Sequence, residues 1–262
     1  MRKKKPFSKR KPTTSSKPID DSSTEQATPI RLNKFIANAG ICSRREADKL
    51  IAEGEIKING KVVTELGTKV SREDKVYYKG KSLRPEKPVY ILLNKPKDFI
   101  TTTDDPENRR TVMELVKTAG DERIYPVGRL DRNTTGLLLF TNDGELAEKL
   151  AHPSNEIRKI YRVEIDKPIA EDDFNKIEEG FDLEDGRVDV DKVAVVDGKG
   201  YSIGLEIHIG RNRIVRRMFE HLGYEVLRLD RVMYAGLDKL NLPRGKWRFL
   251  TEKEIARLKR SK

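Results

Sequence analysis

The chain has 262 residues, a length typical of about two domains, and its 54 lysines and arginines against 43 acidic residues give a formal net charge of +11. The surplus persists outside residues 1–28, where 46 basic side chains stand against 40 acidic ones, and it favours a polyanionic partner. No apolar run approaches the roughly 18 residues that cross a membrane, and the basic N-terminus lacks the apolar stretch of a secretory signal. We therefore expect a cytoplasmic protein with no membrane association.

Cysteine and histidine are too few for the sites that they usually build. The single cysteine, Cys42, excludes an internal disulfide and fits a reducing compartment. The three histidines are scattered without the spacing of a metal site, so we expect no bound metal.

Residues 1–28 are rich in Lys, Ser, Thr and Pro and contain almost nothing apolar. Such a segment cannot bury enough surface to offset the entropy of ordering it, so the sequence predicts a disordered basic tail. A solubilising role and a weak, non-specific attraction to RNA both fit this composition.

The sequence of residues 29–84 predicts a small unit of two helices and a short sheet. Apolar residues at helical spacing predict a helix that begins at Leu32, and the capping-box pair Ser43 and Glu46 predicts the start of a second helix. An Asn-Gly pair between two short apolar runs predicts a hairpin. The proline-containing stretch 84–88 is then a linker.

Residues 88–255 predict an α+β domain with a mostly antiparallel sheet, because the strands are many and the helices few and dispersed. Residues 256–262 form a basic C-terminal end. Helices are expected after Asp143 and from Ile214 onward, and a polar loop over 97–110. Strands are expected at 89–93, 125–130, 137–140 and 203–209.

Basic side chains cluster in the first unit at Arg44 and Arg45, with Lys34 and Lys49 close in sequence. Two guanidinium groups beside helix N-terminal amides suit a phosphate, whereas charge alone fits a solvated helix face equally well. The unit resembles the S4 RNA-binding domain in the segments Arg31–Phe35, Ser43–Ala47 and Ile56–Lys61. This resemblance implies that the four basic residues contact structured RNA.

Asp131 lies on a predicted turn, 131–136, between two strands, where an acid caps a turn as readily as it does chemistry. The surrounding block resembles the catalytic motif of pseudouridine synthases, and its extension resembles the branch that contains RsuA, RluB, RluE and RluF, ribosomal RNA enzymes with an N-terminal S4 domain. The segments concerned are Gly128-Arg129-Leu130-Asp131-Arg132-Asn133-Thr134-Thr135-Gly136-Leu137-Leu138-Leu139 and Phe140-Thr141-Asn142-Asp143-Gly144. The resemblance implies that Asp131 is the catalytic carboxylate, acting as nucleophile or as base.

Two later blocks resemble the same family in type and order. In Lys159–Val163 the resemblance places Tyr161 against the target base, although a strand tyrosine is by itself more often a core residue. In Gly210–Met218 it pairs Arg216 with the catalytic Asp, and Ile214 stands where relatives often have Gln. Helical spacing predicts that Arg216 shares a face with Arg213 and Arg217, opposite the apolar stripe.

The resemblance implies an isomerisation without redox or phosphoryl chemistry, and therefore no cofactor. The expected partner is ribosomal RNA or a ribosomal subunit precursor, bound by a monomer, with Asn94 and Lys95 helping to position the RNA. The residues expected to bind RNA are Arg44, Arg45, Lys34, Lys49, Arg129, Arg211, Arg213 and Arg217.

Large-subunit (23S) RNA is the favoured target, because the Gly-Arg-Asn-Arg-x-Val-Arg-Arg-Met block and the basic tail resemble the RluB-like branch. Two alternatives stay open. One is a small-subunit (16S) enzyme, and the other is a non-catalytic S4-type RNA-binding or ribosome assembly protein, which would need neither Asp131 nor Arg216.

Overall fold

A computed structural model describes residues 28–260. Most of the predicted basic tail, residues 1–27, and the last two residues of the basic C-terminal end lie outside this range, so the predicted disorder of the tail falls outside the described residues. None of the helices within 28–260 is long and apolar enough to cross a bilayer.

The first unit contains the two predicted helices, with two small antiparallel sheets where the sequence predicts one. Ser43 caps the second helix by accepting a hydrogen bond from the Glu46 amide, and Gly40, with φ +74°, ends the first. A four-stranded sheet in the order β3-β2-β5-β6 and a β1-β4 pair complete the unit. The elements are β1 (Ile30–Arg31), α1 (Leu32–Asn38), α2 (Arg44–Ala52), β2 (Ile56–Ile58), β3 (Lys61–Val62), β4 (Lys69–Val70), β5 (Val76–Tyr78) and β6 (Lys81–Ser82).

The second unit is built on a nine-stranded sheet in the order β13-β14-β10-β15-β9-β7-β17, with β16 added to β15 and β8 added to β9. All of its pairings are antiparallel except β9 with β15, which confirms the predicted α+β class. The elements are β7 (Tyr90–Lys95), α3 (Val112–Val116), β8 (Tyr125–Val127), β9 (Thr134–Thr141), α4 (Gly144–Ala151), β10 (Lys159–Ile165), α5 (Glu171–Glu179), β11 (Phe181–Leu183), β12 (Gly186–Val188), β13 (Lys192–Val195), β14 (Ser202–Ile207), α6 (Ile214–His221), β15 (Val226–Tyr234), β16 (Leu237–Asp238), β17 (Trp247–Phe249) and α7 (Glu252–Arg260).

Strands β7 and β9 are buried on both faces, which explains their continuous apolar runs. Ile91 and Leu138 pack into one core cluster, whereas their chain neighbours Leu92 and Leu139 pack into a second cluster across the sheet. The first cluster lies under the helix α6, and the second lies under α4 and α7.

The predicted turn 131–136 is wrong at its end, because β9 begins at Thr134. Residues 134–136 pair in parallel with 229–231 on β15, a contact between segments distant in the chain. Gly136, with φ +108°, makes this approach possible, since a Cβ there would overlap the Arg231 backbone. The turn that carries Asp131 is therefore limited to residues 128–133.

The two units touch through α1 and the linker. Lys34 Nζ lies 2.7 Å from Glu145 Oε1 at the start of α4. Glu86 in the linker donates its amide to the Asn38 carbonyl at 2.8 Å, and its carboxylate accepts from Asn142. These contacts set α1 and α2 beside the loop that carries Asp131.

Candidate active site and RNA-binding surface

Asp131 is half-buried on the short connection between β8 and β9. Backbone and side-chain hydrogen bonds fix this connection: Thr134 donates its amide to the Asp131 carbonyl at 3.0 Å, and the Thr101 hydroxyl donates to the Leu130 carbonyl at 2.7 Å. The backbone of Asp131 is thereby immobilised, while its side chain stays at the edge of a cavity.

Lys95, fully buried at the end of β7, anchors the same connection from below. Its ammonium donates to the carbonyls of Asp131 at 3.0 Å, Arg132 at 3.2 Å and Thr134 at 2.9 Å, and also to that of Pro96. Burial lowers the pKa of Lys95 to about 8, and the charge of Asp131 opposes this shift. Lys95 therefore positions the Asp131 loop.

The expectation that Asn94 and Lys95 position RNA is wrong in consequence. Asn94 is 4% exposed, and its side chain donates to the Leu242 carbonyl and accepts from Arg244. The polar groups of both side chains form hydrogen bonds inside the protein, because the end of β7 lies in the middle of the sheet and not at the surface.

A cavity of about 190 Å³, which we call the Asp131 cavity, opens beside the carboxylate. Tyr161 projects into it from the central strand β10 and is 8% exposed. Thr134 from β9 and Arg231 from β15 line the same space. The structure therefore brings Asp131 and Tyr161, predicted from separate motifs, to one concave site of the kind that encloses a small planar group.

Arg216 lies beneath the Asp131 loop and is 9% exposed. Its guanidinium donates to the carbonyls of Val226 at 3.0 Å and Asn133 at 3.4 Å, and within residues 28–260 it forms no ion pair with Asp131. Burial lowers the pKa of Arg216, Arg213 adds to this effect and Asp131 opposes it. Asp131 and Arg216 thus interact electrostatically without a direct contact.

The predicted shared face of Arg213, Arg216 and Arg217 is wrong. Arg216 lies on the buried side of α6, where backbone carbonyls accept hydrogen bonds from its guanidinium. These hydrogen bonds make burial of the charged group possible. Arg213 precedes the helix at a left-handed φ of +45° and contacts Glu220. Arg217 lies within α6 and is half-buried, whereas Arg213 is exposed.

Arg211 and Arg217 hold the β11–β12 hairpin. Arg217 pairs with Asp185 at 2.8 Å, and Arg211 donates to Asp185 and to the carbonyls of Gly186 and Arg187 in the same hairpin. Sequence reasoning missed this hairpin, because its strands of three residues carry no clear alternation.

The four basic residues predicted in the first unit occupy different environments. Arg44, Arg45 and Lys49 are exposed on α2, whereas Lys34 is paired with Glu145. Lys34 and Arg44 line a groove between the units that also includes Gly128 and reaches the Asp131 cavity. Arg129, exposed on the cavity rim, continues this basic border.

Sequence reasoning missed two further basic residues of the cavity, Lys159 and Arg231. Lys159 donates to the carbonyls of His208 and Ile209, and its pKa falls to about 8, mainly through burial and further through the charge of Arg231. The signal was present, since each lies two residues from another cavity residue on its own strand, Lys159 from Tyr161 and Arg231 from Leu229. No metal-like cluster of His, Cys, Asp or Glu occurs in residues 28–260.

Comparison with known families agrees with this architecture. Residues 89–221 match the model of the RNA pseudouridylate synthase family, and residues 30–76 match the S4 domain. A solved structure titled "Crystal structure of pseudouridylate synthase" is 33% identical, with a TM-score of 0.63, covering 87% of this chain and 99% of that one. The fold and the matched motifs define an enzyme that isomerises uridine in RNA.

Two curated relatives place the chain more narrowly. It is 46% identical over 233 residues to "Ribosomal large subunit pseudouridine synthase B" of Bacillus subtilis (strain 168), covering 87% of this chain and 95% of that protein. It is 38% identical over 229 residues to "Dual-specificity RNA pseudouridine synthase RluF" of Escherichia coli (strain K12), covering 86% and 77%. The chain belongs to the RNA pseudouridine synthases of the RsuA type, with an N-terminal S4 domain.

Proposed function

We propose that this enzyme converts one uridine of 23S ribosomal RNA, free or in a large-subunit precursor, into pseudouridine with Asp131 as its catalytic carboxylate. The observation that carries the proposal is the position of Asp131, whose backbone is fixed and whose side chain lies at the edge of a cavity that Tyr161 also lines. The large-subunit target is supported by the 46% identity to a relative named for that subunit.

Asp131, Tyr161 and Arg216 have distinct roles in this mechanism. The uridine leaves its stack at a cost of a few kcal/mol, and stacking on Tyr161 returns about 1–3 kcal/mol. Asp131 then acts on the ribose, as nucleophile or as base, while the glycosidic bond breaks. Arg216 supplies a buried positive charge beneath the Asp131 loop, held in place by its two backbone contacts.

The groove between the units supplies the path for the RNA. We assign RNA binding to a S4 unit at 29–84 and chemistry to a catalytic domain at 88–255, with contacts from Arg44, Arg45, Lys49 and Lys34. Around the cavity we assign RNA contacts to Arg129 and Arg213. We assign further RNA contacts to Arg211 and Arg217, through the guanidinium N–H groups that do not bind the β11–β12 hairpin. A ribosomal RNA target fits an enzyme that works in the cytoplasm, and we propose that it acts there as a monomer.

Joint replacement of Arg44 and Arg45 by Ala is expected to weaken RNA binding and to leave the rate at saturating RNA unchanged. Each lost phosphate contact should make the slope of log K against log salt shallower by about 1. Filter binding over a salt series measures the slope. The matched control replaces two exposed lysines that do not line the groove, Lys81 and Lys253, and it should keep the natural slope.

Mapping of pseudouridines in ribosomal RNA tests the target. In cells without this protein, one 23S site should disappear and should return with the natural chain but not with Asp131→Asn. A lost site in 16S RNA would overturn the large-subunit assignment. No lost site, with ribosome assembly rescued equally by both chains, would establish the non-catalytic role instead.

A further inference from the structure

Two residues of the Asp131 cavity carry buried polar atoms without a partner. Within residues 28–260, Nη2 of Arg231 and Oγ1 of Thr134 make no hydrogen bond. Both residues line the cavity, and they come from β15 and β9 where these strands pair in parallel. Because an unpaired buried polar atom costs free energy, a cavity with two of them is suited to a polar ligand.

The Arg231 guanidinium is fixed in place. The residue is 3% exposed, its Nε donates to the Leu137 carbonyl at 2.8 Å, and its guanidinium lies 4.5 Å from the centre of the Tyr234 ring. It has no carboxylate partner within 28–260, and Lys159 adds a second positive charge nearby. A buried cation in such surroundings is stabilised by a ligand that carries or develops negative charge.

Uracil develops negative charge when its glycosidic bond breaks. N1 keeps the electron pair of the N1–C1′ bond, and the charge spreads to the carbonyl oxygens O2 and O4. After the ring turns, C5 forms the new bond to C1′, C5 loses its proton and N1 gains one, so the product is an isomer of the substrate. A fixed cationic donor at a carbonyl oxygen stabilises this anion more than the neutral base, and this difference accelerates the reaction.

We propose that Arg231 donates a hydrogen bond to a carbonyl oxygen of the target uracil and stabilises the uracil anion, with the Thr134 hydroxyl as a second contact to the same ring. Tyr161 is the register partner of Arg231 on β10, so the ring that lies against Tyr161 also reaches Arg231. This inference rests on the proposed function, because it locates the reaction in the Asp131 cavity.

Arg231→Met tests the contact, since it removes the donor and the charge but keeps a long apolar side chain. We expect the single-turnover rate to fall about 100-fold, with little change in the Kd for RNA, which depends mainly on phosphate contacts. Target RNAs in which 2-thiouridine or 4-thiouridine replaces the target uridine complete a double-mutant cycle between the enzyme and its substrate. At one of the two oxygens, sulfur should change the rate of the natural enzyme about fivefold more than that of the variant. If sulfur at each of the two positions changes the rate of the natural enzyme and of the variant by the same factor, the proposal is overturned.

Thr134→Val and Thr135→Val form a matched pair that does not depend on Arg231. The Thr134 hydroxyl has no hydrogen-bond partner among residues 28–260, so its removal should keep the Tm and lower the rate about tenfold. Thr135 faces the other side of the sheet, where its hydroxyl donates to Asp230 at 2.7 Å, so its removal should lower the Tm and keep the rate.

The outcomes separate this inference from the proposed function. An inactive Asp131→Asn together with natural rates for Arg231→Met and Thr134→Val would overturn the inference alone. An active Asp131→Asn would overturn the proposed function.

Discussion

Asparagine in place of Asp131 is expected to lower the rate of pseudouridine formation on the order of 10⁴-fold, with little change in RNA affinity. The amide has nearly the same shape as the carboxylate but can act neither as a nucleophile nor as a base. The loop should keep its conformation, because its contacts with Lys95 and Thr101 involve backbone carbonyls. Release of tritium from C5 of the target uridine in a single turnover measures the rate.

Asp98→Asn is the matched control for this substitution. Asp98 is a neighbouring acid that pairs loosely with Arg132 at 3.4 Å and has a 61% exposed side chain. Its left-handed φ of +68° is tolerated by asparagine. It should keep the natural rate, and a loss equal to that of Asp131→Asn would mean that charge in the region, not the Asp131 carboxylate, is what matters.

Methionine in place of Lys95 is expected to lower the free energy of unfolding by about 3 kcal/mol and to lower kcat together with it. The substitution fills the same space but removes the ammonium that donates to four carbonyls, two of them, those of Asp131 and Arg132, in the Asp131 loop. Denaturant unfolding gives the stability. Single-turnover kinetics on the folded variant show whether the looser loop misplaces Asp131, with RNA affinity retained.

Lys97→Met is the control that separates the loss of buried hydrogen bonds from the loss of a positive charge. Lys97 is two residues further along the chain and exposed, so the same substitution should leave the unfolding midpoint unchanged. A Lys95→Met protein with natural stability and natural kcat would show that the four contacts neither hold the loop nor position the carboxylate.

Much of the architecture follows from local signals in the sequence. The Ser43 cap, the Gly40 stop and the Asn-Gly hairpin depend on interactions within a few residues, and the structure confirms all three. The alternation around Leu205 predicts β14 for the same reason, because one face of that strand is buried. The motif around Asp131 located the candidate site, since residue types in one block are visible without a fold.

Tertiary structure decided the start of β9 and the surroundings of the basic residues. Thr134 belongs to a strand only because β15, about a hundred residues later, pairs with it, and Gly136 permits that approach. Lys95 resembles a surface lysine in the sequence, and only the folded chain brings four carbonyls to its ammonium.

The sequence by itself determined the fold class, the order of the units and the residue types at the site. Caps, turns and hydrophobic periodicity act over a few residues, and a motif needs no fold to be recognised. The folded chain alone decided that Arg216 lies beneath the Asp131 loop and that Arg231 lines the cavity with an Nη2 that is unpaired in the described part of the chain. The burial and the partners of a charged side chain depend on backbone groups that are distant in sequence and meet only when the sheet closes.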